Sequence, residues 1–457
     1  MTEPVEIDSE RSRIRAALVN SGRFTIPQAD EKLAASRLSL FLADEAADTP
    51  AGQAAFLTAT VTAARCFGEI SVQGRLDRPL LLPFPIGARS LEDAALAFGA
   101  RLMPRNSSPK RSVLIGPVSG IEAWSVQAFW NGWTAGTAPS RKPSPLGRAD
   151  CALAGIAAGA LAVGQAFLAE QGDPRAGRTT QSVSLWFPDR GDAGASDPGP
   201  EQKDCYLPLD LWLIGLGNLG QAYLWSLSTL PYPDPARVLL FLQDDDHVRK
   251  ENWGTSILVT QGNYGKLKTR IAEDWAEGLG FRARRIDRRL DKHLRRTDQE
   301  PAVALAGLDR MPPRRLLGLP GFEYIIDAGL GATSTDYQKL RINVFDAAAD
   351  PAQHFDGVED QTSQVVERLL QMPAYKEFAR TNSDGQCGAA MLAERSVAVP
   401  FVSAFVGAAA IAQAMRIASG QAFHSVLTAD LGDVESVRST LGPAPTRAGI
   451  ASVLAAA

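Results

Sequence analysis

Short apolar runs alternate with amphipathic helical segments throughout the C-terminal part of the chain. Such alternation predicts an α/β fold with a doubly wound, mostly parallel sheet, because a parallel strand needs a crossover helix before its neighbour. The predicted strands cover residues 211–217, 237–246, 302–309 and 323–331, and the predicted helices cover 219–229 and 265–279.

The N-terminal part has its own strand-like runs at 112–120 and 124–133, followed by a small-residue helix at 151–170. This helix ends in GQAFLAEQGD and echoes AQAMRIASGQAF at 412–423. The echo fits a degenerate second α/β domain that has lost its nucleotide site, and a plain core helix explains it nearly as well. No Gly-x-Gly-x-x-Gly occurs in this part.

A Gly-, Asp- and Pro-rich stretch separates the two parts and is typical of a linker. We therefore expect an N-terminal domain over 1–187, a linker over 188–205, a second domain over 206–440 and a tail over 441–457.

Composition narrows the class of protein. Two uncharged stretches, 151–168 and 396–415, are long enough to span a bilayer but are rich in Ala, Gly and Ser, which favours buried core helices. A net charge of −4 argues against nucleic-acid and membrane partners. Four widely spaced cysteines and an N-terminus without an apolar signal core suggest a reduced, cytoplasmic protein.

The most informative motif is LWLIGLGNLGQAYLW at 211–225, in which a strand runs through Gly215-x-Gly217-x-x-Gly220 into a helix. Glycines at this spacing make a tight turn, let a phosphate approach the backbone, and allow close helix packing. The motif alone is shared by NAD and ATP sites. Asp244, at the end of the next strand, suits the ribose of either nucleotide.

Residues further along favour ATP. Asn252 lies eight residues beyond Asp244, and Lys268 lies sixteen residues beyond Asn252. An NAD site needs neither of them. An enzyme that attacks the α-phosphate of ATP needs a lysine to neutralise the departing pyrophosphate, and an amide can hold a phosphate oxygen.

With these residues the sequence resembles the ThiF/MoeB-type adenylating superfamily, which includes the ubiquitin-activating enzymes. The family pattern stands here as the three glycines, Asp244-x-Asp246-x-Val248, Asn252, Gly265-x-x-Lys268 and Asp309-x-x-x-x-Arg314. The resemblance implies that Asp244 binds ribose, that Asn252 and Lys268 bind phosphates, and that Asp309 binds Mg²⁺. It also includes Asn218 and Asp246 in the nucleotide site.

One position departs from the family pattern. Three residues after the motif asparagine the family usually has an arginine that contacts the triphosphate, and Thr255 stands there instead. The missing cation would have to come from Arg249, Arg270 or an arginine of the N-terminal part. Without one, a protein that binds nucleotide but does not catalyse becomes an alternative.

Cys387 lies in DGQCG, within the segment 352–395 that the resemblance identifies as a crossover loop. In many family members this loop carries a cysteine that accepts the acyl group as a thioester. A polar loop with Arg380 and Arg395 within reach suits a reactive thiolate, whereas a small buried residue is the alternative. The other cysteines, Cys66, Cys151 and Cys205, are interpreted as structural.

The resemblance therefore implies an ATP- and Mg²⁺-dependent enzyme that adenylates the C-terminal carboxylate of a ubiquitin-like or sulfur-carrier protein, with a conjugating enzyme as a further possible partner. The catalytic candidates are Cys387, Lys268 and Asp309, and the N-terminal domain would be an inactive adenylation-like half. The alternatives are an NAD-dependent oxidoreductase, which needs only the glycines and Asp244, and a non-catalytic nucleotide-binding module.

Overall fold

The computed structural model describes residues 9–455 except 105–108, 122, 191–196, 332–335, 359–361, 382–384, 395–396 and 446–449. Within these residues the chain forms one large β-sheet in each half, with helices packed against both sheets.

The N-terminal sheet has the strand order β3-β2-β1-β4-β5-β6-β7. Its strands from β3 to β5 pair in parallel, and β6 and β7 add antiparallel to them. The strands are β1 (Arg37–Leu42), β2 (Glu69–Gln73), β3 (Arg101–Leu102), β4 (Arg111–Ile115), β5 (Trp124–Asn131), β6 (Thr134–Pro139) and β7 (Gln181–Ser184).

The C-terminal sheet has the order β11-β10-β9-β12-β13-β14-β15-β16, parallel as far as β13 and antiparallel beyond it. A separate antiparallel pair joins β8 (Tyr206–Pro208) to β17 (Ser452–Leu454). The sheet strands are β9 (Asp210–Ile214), β10 (Leu239–Gln243), β11 (Arg282–Ile286), β12 (Val303–Ala306), β13 (Tyr324–Leu330), β14 (Lys339–Asp346), β15 (His424–Asp430) and β16 (Asp433–Leu441).

The helices of the N-terminal half are α1 (Ser12–Val19), α2 (Ile26–Ala35), α3 (Asp44–Ala47), α4 (Pro50–Cys66), α5 (Leu91–Ala97) and α6 (Ala152–Glu170). Those of the C-terminal half are α7 (Asn218–Leu227), α8 (Lys268–Gly278), α9 (Met311–Arg314), α10 (Pro351–His354), α11 (Thr362–Leu370), α12 (Pro373–Thr381), α13 (Gly385–Ala393) and α14 (Pro400–Ala418).

The two sheets follow the same path through their first seven strands. The order 3-2-1-4-5-6-7 in the first sheet becomes 11-10-9-12-13-14-15 in the second. The two echoing helices occupy the same place in each copy, since α6 lies between the sixth and seventh strands of its sheet and so does α14. The predicted fold class, a doubly wound, mostly parallel α/β sheet with a second α/β domain, is confirmed.

The halves meet through four helices. Helices α4 and α6 pack on the N-terminal sheet, α7 and α14 pack on the C-terminal sheet, and α14 contacts both α4 and α6. Trp225 of α7 crosses this junction, where its Nε1 donates to Thr58 Oγ1 of α4 at 2.9 Å and its ring stacks on Phe84 with centroids 4.2 Å apart. Apolar burial and a buried hydrogen bond thus stabilise the contact together.

The two long apolar helices are core helices. Both α6 and α14 pass a length and hydropathy test for a membrane span, but in α14 the whole 18-residue test window is buried inside the protein, and in α6 89% of it is. The sequence interpretation is therefore confirmed, because these apolar surfaces already contact protein on nearly every side.

Small residues let α4 and α6 approach closely. A Cβ added to Gly155 would lie 2.1 Å from the backbone oxygen of Ala51, which cannot move aside without shifting α4. We expect Gly155→Ala to cost about 1–3 kcal/mol of unfolding free energy through overpacking. Thermal melting measures this loss. Gly164→Ala in the same helix is the control, since its nearest neighbour is the Phe401 ring at 3.3 Å. Equal melting temperatures for the two variants would contradict this packing argument.

His424, the first residue of β15, is fully buried, and its Nε2 lies 3.8 Å from Asp189 Oδ1. Burial, followed by the charge of Arg416, lowers its pKa to about 4 from the usual 6.5. The folded state therefore holds His424 neutral. The stability tied to this neutral form is complete above pH 6.5 and is lost as the pH falls toward 4.

We expect wild type to lose up to about 3 kcal/mol between pH 7 and pH 4 from His424 alone. His424→Leu removes this contribution, so its urea-unfolding free energy should fall less steeply over that range. Parallel pH profiles for the two proteins would rule out His424 as a source of acid sensitivity.

Candidate functional site

The glycine turn joins β9 to α7 as predicted. Gly215 adopts φ +85°, a left-handed conformation that favours glycine. A Cβ on Gly220 would lie 2.2 Å from the Gly215 backbone oxygen, so only glycine allows the helix to begin so close to the strand. A Cβ on Gly217 would meet nothing within 4 Å. The backbone there faces open space in which a phosphate can approach.

Asn218 is the first residue of α7, at the helix end where backbone N–H groups lack partners. Its side-chain Oδ1 and Nδ2 are both buried, and neither has a hydrogen-bond partner among the described residues. Buried polar atoms are normally paired. The amide therefore fits a site that holds a polar ligand, and the positive end of the helix dipole favours an anionic one.

Asp244 ties the end of β10 to the glycine turn. Its Oδ2 accepts from the Leu216 N–H at 2.7 Å, and its Oδ1 accepts from the Asp246 N–H at 2.8 Å. Burial raises the pKa of Asp244, while the charge of Lys268 acts to lower it. Each oxygen keeps lone pairs for a further donor such as a ribose hydroxyl.

Lys268 begins α8 and pairs with Asp246. Its Nζ lies 2.8 Å from Asp246 Oδ2, and its backbone N–H donates to the Asp246 backbone oxygen at 2.9 Å. Desolvation acts to raise the pKa of Asp246, but the hydrogen bond and charge of Lys268 lower it overall. The ammonium carries three N–H donors, so those not used by Asp246 can bind phosphate oxygens.

Asn252 and Lys268 are connected through one closed loop, 248–266. Its ends are joined by hydrogen bonds from the Val248 N–H to the Lys266 oxygen and from the Gly265 N–H to the Val248 oxygen, each 2.8 Å long. Asn252 Oδ1 accepts from the Arg249 N–H at 2.8 Å, which shapes a 3₁₀ turn at the start of the loop.

Asp309 is exposed just beyond the carboxyl end of β12, the strand that pairs with β9, which leads into the glycine turn. The strand leaves the sheet through Gly307, whose N–H donates to the Ile214 oxygen at 2.9 Å. Among the described residues Asp309 takes part in no hydrogen bond or ion pair. Three other carboxylates, those of Asp244, Asp245 and Asp246, lie close enough to share one cation, with ligand oxygens within 4.8 Å of one another.

Thr255, at the position of the usual family arginine, is buried. Of the cations proposed to replace that arginine, Arg270 pairs with Glu273 and Asp274 of its own helix, each at 3.0 Å. Arg249 is exposed on the loop. The N-terminal half also reaches the loop, since Arg13 lies 3.5 Å from Glu251.

Arg314 of the family pattern lies five residues after Asp309 and is buried. Its guanidinium is buried and Nε lies 3.0 Å from Oδ1 of Asp327, while Asn343 donates to the other oxygen at 3.2 Å. Burial raises the pKa of Asp327, whereas the charge of Arg314 acts to lower it. The pair fixes α9, the helix directly after Asp309. The sequence motif identified Arg314, but nothing in it identified Asp327 as the partner.

Cys387 lies in the first turn of α13, so the prediction of a polar loop around it was wrong. The segment is helical because Ala389, Leu392 and Ala393 are buried in contacts with helices α11 and α12. The Cys387 side chain is exposed, as a nucleophile requires. Among the described residues, no hydrogen bond or ion pair joins it to the glycine turn or to Lys268.

The other three cysteines are buried, in agreement with their structural interpretation. Burial raises the pKa of the Cys151 and Cys205 thiols to about 12, and it raises that of Cys66 further still. Of the two arginines expected near Cys387, Arg380 lies on α12, and Arg395 lies outside the described residues.

The chain is similar to known proteins over most of its length. Family models described as the BilD N-terminal domain and the BilD C-terminal domain match residues 37–185 and 207–421. The Bacterial E1-like protein BilD of Collimonas sp. (strain OK412) is 33% identical over 408 residues, which cover 87% of each chain.

Solved structures also match in part. E. coli MccB with ATP is 9% identical at a TM-score of 0.34, covering 52% of this chain and 65% of MccB, just under two thirds of its length. E. coli MccB with MccA-N7isoASN is 12% identical at the same TM-score, covering 54% of this chain and 67% of MccB. The two family models together span most of the chain and the Collimonas relative matches nearly all of it, so the protein belongs to the BilD family of bacterial E1-like proteins.

Proposed function

We propose that the protein adenylates the C-terminal carboxylate of a small ubiquitin-like or sulfur-carrier protein. Mg-ATP would bind at the carboxyl ends of the parallel strands of the second sheet. One observation carries the proposal above all. Four groups lie at the end of the sheet where α/β proteins bind nucleotides. They are the glycine turn, the Asn218 amide, which has no hydrogen-bond partner among the described residues, the Asp244 carboxylate and the Lys268 ammonium. Membership in a family of E1-like proteins supports the same reaction class.

The donor set fits Mg-ATP. The turn and the start of α7 suit phosphate oxygens, Asp244 suits ribose, and Asn252 and Lys268 suit the remaining phosphates. Asp309, just beyond β12, would hold Mg²⁺, since carboxylate oxygens are its preferred protein ligands. When bound, the ion would neutralise part of the triphosphate charge.

In the proposed reaction a carboxylate oxygen of the carrier attacks the α-phosphorus of ATP. A new P–O bond forms to the acyl group while the bond from the α-phosphorus to the bridging oxygen breaks, and pyrophosphate leaves. Negative charge builds on the departing oxygens in the transition state. Lys268 stabilises that charge from a fixed position at the start of α8.

A second step would transfer the acyl group to Cys387. The thiol loses its proton to solvent, its sulfur attacks the acyl carbonyl carbon, and AMP leaves as the thioester forms. The exposed position of Cys387 supports this role, because an acyl donor as large as a carrier adenylate can reach only an accessible thiol.

The N-terminal half would be a non-catalytic copy. After β1 its chain enters the short helix α3 instead of a glycine turn. Gly52 occupies the place of the third motif glycine, and a Cβ there would lie 1.9 Å from the Ala46 backbone oxygen. The close helix packing is thus retained, while the two glycines that admit a phosphate are replaced by other residues.

The test uses ATP labelled at the α-phosphate and small carrier proteins that end in a free carboxylate. We expect label on the carrier with matching release of pyrophosphate, followed by a thiol-sensitive adduct on the enzyme. Cys387→Ser should abolish the thiol-sensitive adduct but not pyrophosphate release, and Cys205→Ser should preserve both. Pyrophosphate release that no carrier stimulates would contradict the proposed substrate class.

A further inference from the structure

Loop 248–266 contacts the N-terminal half over much of its length. Glu10 Oε1 accepts from Gln261 Nε2 at 2.9 Å and from Tyr264 Oη at 2.5 Å. At the other side of the loop, a Cβ on Gly254 would lie 2.4 Å from the Glu10 backbone oxygen. The loop that connects Asn252 to Lys268 is therefore held by residues far away in the sequence.

Arg65 makes the most buried of these contacts. It lies in the last turn of α4 and is 5% exposed. Its Nη2 donates to the Val259 backbone oxygen at 2.9 Å, and its guanidinium carbon lies 4.0 Å from the centre of the Trp253 ring. Trp253 directly follows Asn252, so one side chain of the N-terminal half holds the loop at two points.

Burying the Arg65 guanidinium costs free energy, because the cation loses its hydration and gains no carboxylate partner among the described residues. No carboxylate of the described residues pairs with Arg65, its Nε lacks an acceptor among them, and desolvation lowers its pKa to about 10. A methionine would fill similar space without that cost. What the guanidinium adds is the bond to the Val259 carbonyl and the cation–π contact with Trp253, and both act on the loop.

We propose that Arg65 is a positioning residue through which the N-terminal half fixes loop 248–266 in the conformation that binds ATP. The contacts of Arg65 with the loop are observed in the structure, and the effect on ATP binding rests on the proposed function. The N-terminal half then has a task of its own in the ATP site, because removal of Arg65 would let the loop open locally and displace Asn252.

The experiment compares Arg65→Met with Arg416→Met in the full-length protein. Arg416 is a matched control because it is also 5% exposed, lies 5.2 Å from the Trp186 ring and donates to the Trp186 backbone oxygen, but does not contact the loop. Amide hydrogen exchange is measured at Ser256 and Leu258, whose N–H groups bond to Asn252 and Gln221. Mg-ATP affinity is measured on the same samples.

In Arg65→Met we expect exchange at these two amides to rise, and Mg-ATP affinity to fall, by about tenfold each. Arg416→Met should change neither. Unchanged loop exchange in Arg65→Met overturns the proposal. Wild-type ATP affinity in Arg65→Met also overturns it, provided that Lys268→Ala weakens ATP binding in the same assay. If wild type binds no ATP, the proposed function fails, and the exchange result alone decides whether Arg65 holds the loop.

A second variant covers the case in which Arg65→Met does not fold. Trp253→Leu removes the other partner of the cation–π contact from the loop side and leaves the N-terminal half intact. The same rise in exchange at Ser256 and Leu258 is expected. Exchange equal to that of wild type would overturn the proposal.

Discussion

Replacement of Lys268 by alanine is expected to weaken Mg-ATP binding by about 10- to 100-fold, the usual effect of losing one hydrogen bond from a charged donor. Lys268 lies at the start of α8, where its ammonium and the helix N-terminus both favour an anion. The substitution also removes the ammonium that lies 2.8 Å from the Asp246 carboxylate. The negative charge of Asp246 would then repel the phosphates.

Equilibrium dialysis with Mg-ATP measures the change. Lys266→Ala is the matched control, since it removes an equal charge from an exposed position two residues away. The control should bind ATP like wild type. Equal weakening in both variants would mean that Lys268 acts only through general electrostatics.

Replacement of Arg314 by leucine is expected to lower the free energy of unfolding by about 3–5 kcal/mol, because it leaves a buried carboxylate unpaired. The Asp327 side chain is 0% exposed, and its only cationic partner among the described ion pairs is Arg314 at 3.0 Å. The Asn343 amide, the other side chain that bonds to Asp327, carries no charge.

The loss depends on pH. Burial already raises the pKa of Asp327, and without Arg314 the pKa rises further. Protonation relieves the unpaired charge, so the deficit of Arg314→Leu should be largest at neutral pH and shrink as the pH falls through the raised pKa.

Urea unfolding followed by tryptophan fluorescence measures the stability of the single variant and of Arg314→Leu/Asp327→Leu. The double variant should regain most of the loss, since it buries no charge. A single-variant loss below about 1 kcal/mol would contradict a structural role for the pair.

Much of the second domain could be predicted from the sequence, because its parallel strands are buried on both faces and form apolar runs. The glycine turn could also be predicted from the sequence, since local backbone geometry sets the spacing of its glycines. Asp244, Asp246 and Lys268 were found by their distance from that turn, and the structure brings these residues together.

Other features depend on contacts between distant residues. Helix α4 is buried although its sequence is rich in threonine, because Thr60 and Thr62 bond to backbone oxygens one turn earlier. Arg65 is an arginine that a sequence reader would place at the surface. The loop predicted around Cys387 is a helix because tertiary packing overrides the glycines beside it.

Calorimetric titration of the wild-type protein with Mg-ATP and, separately, with NAD tests the account most directly. The glycine turn and Asp244 suit either nucleotide, whereas Asn252, Lys268 and Asp309 suit only the triphosphate and its metal. We predict saturable binding of Mg-ATP that Lys268→Ala weakens, and no heat of binding with NAD. Binding of NAD that is indifferent to Lys268→Ala would contradict adenylation and favour an oxidoreductase.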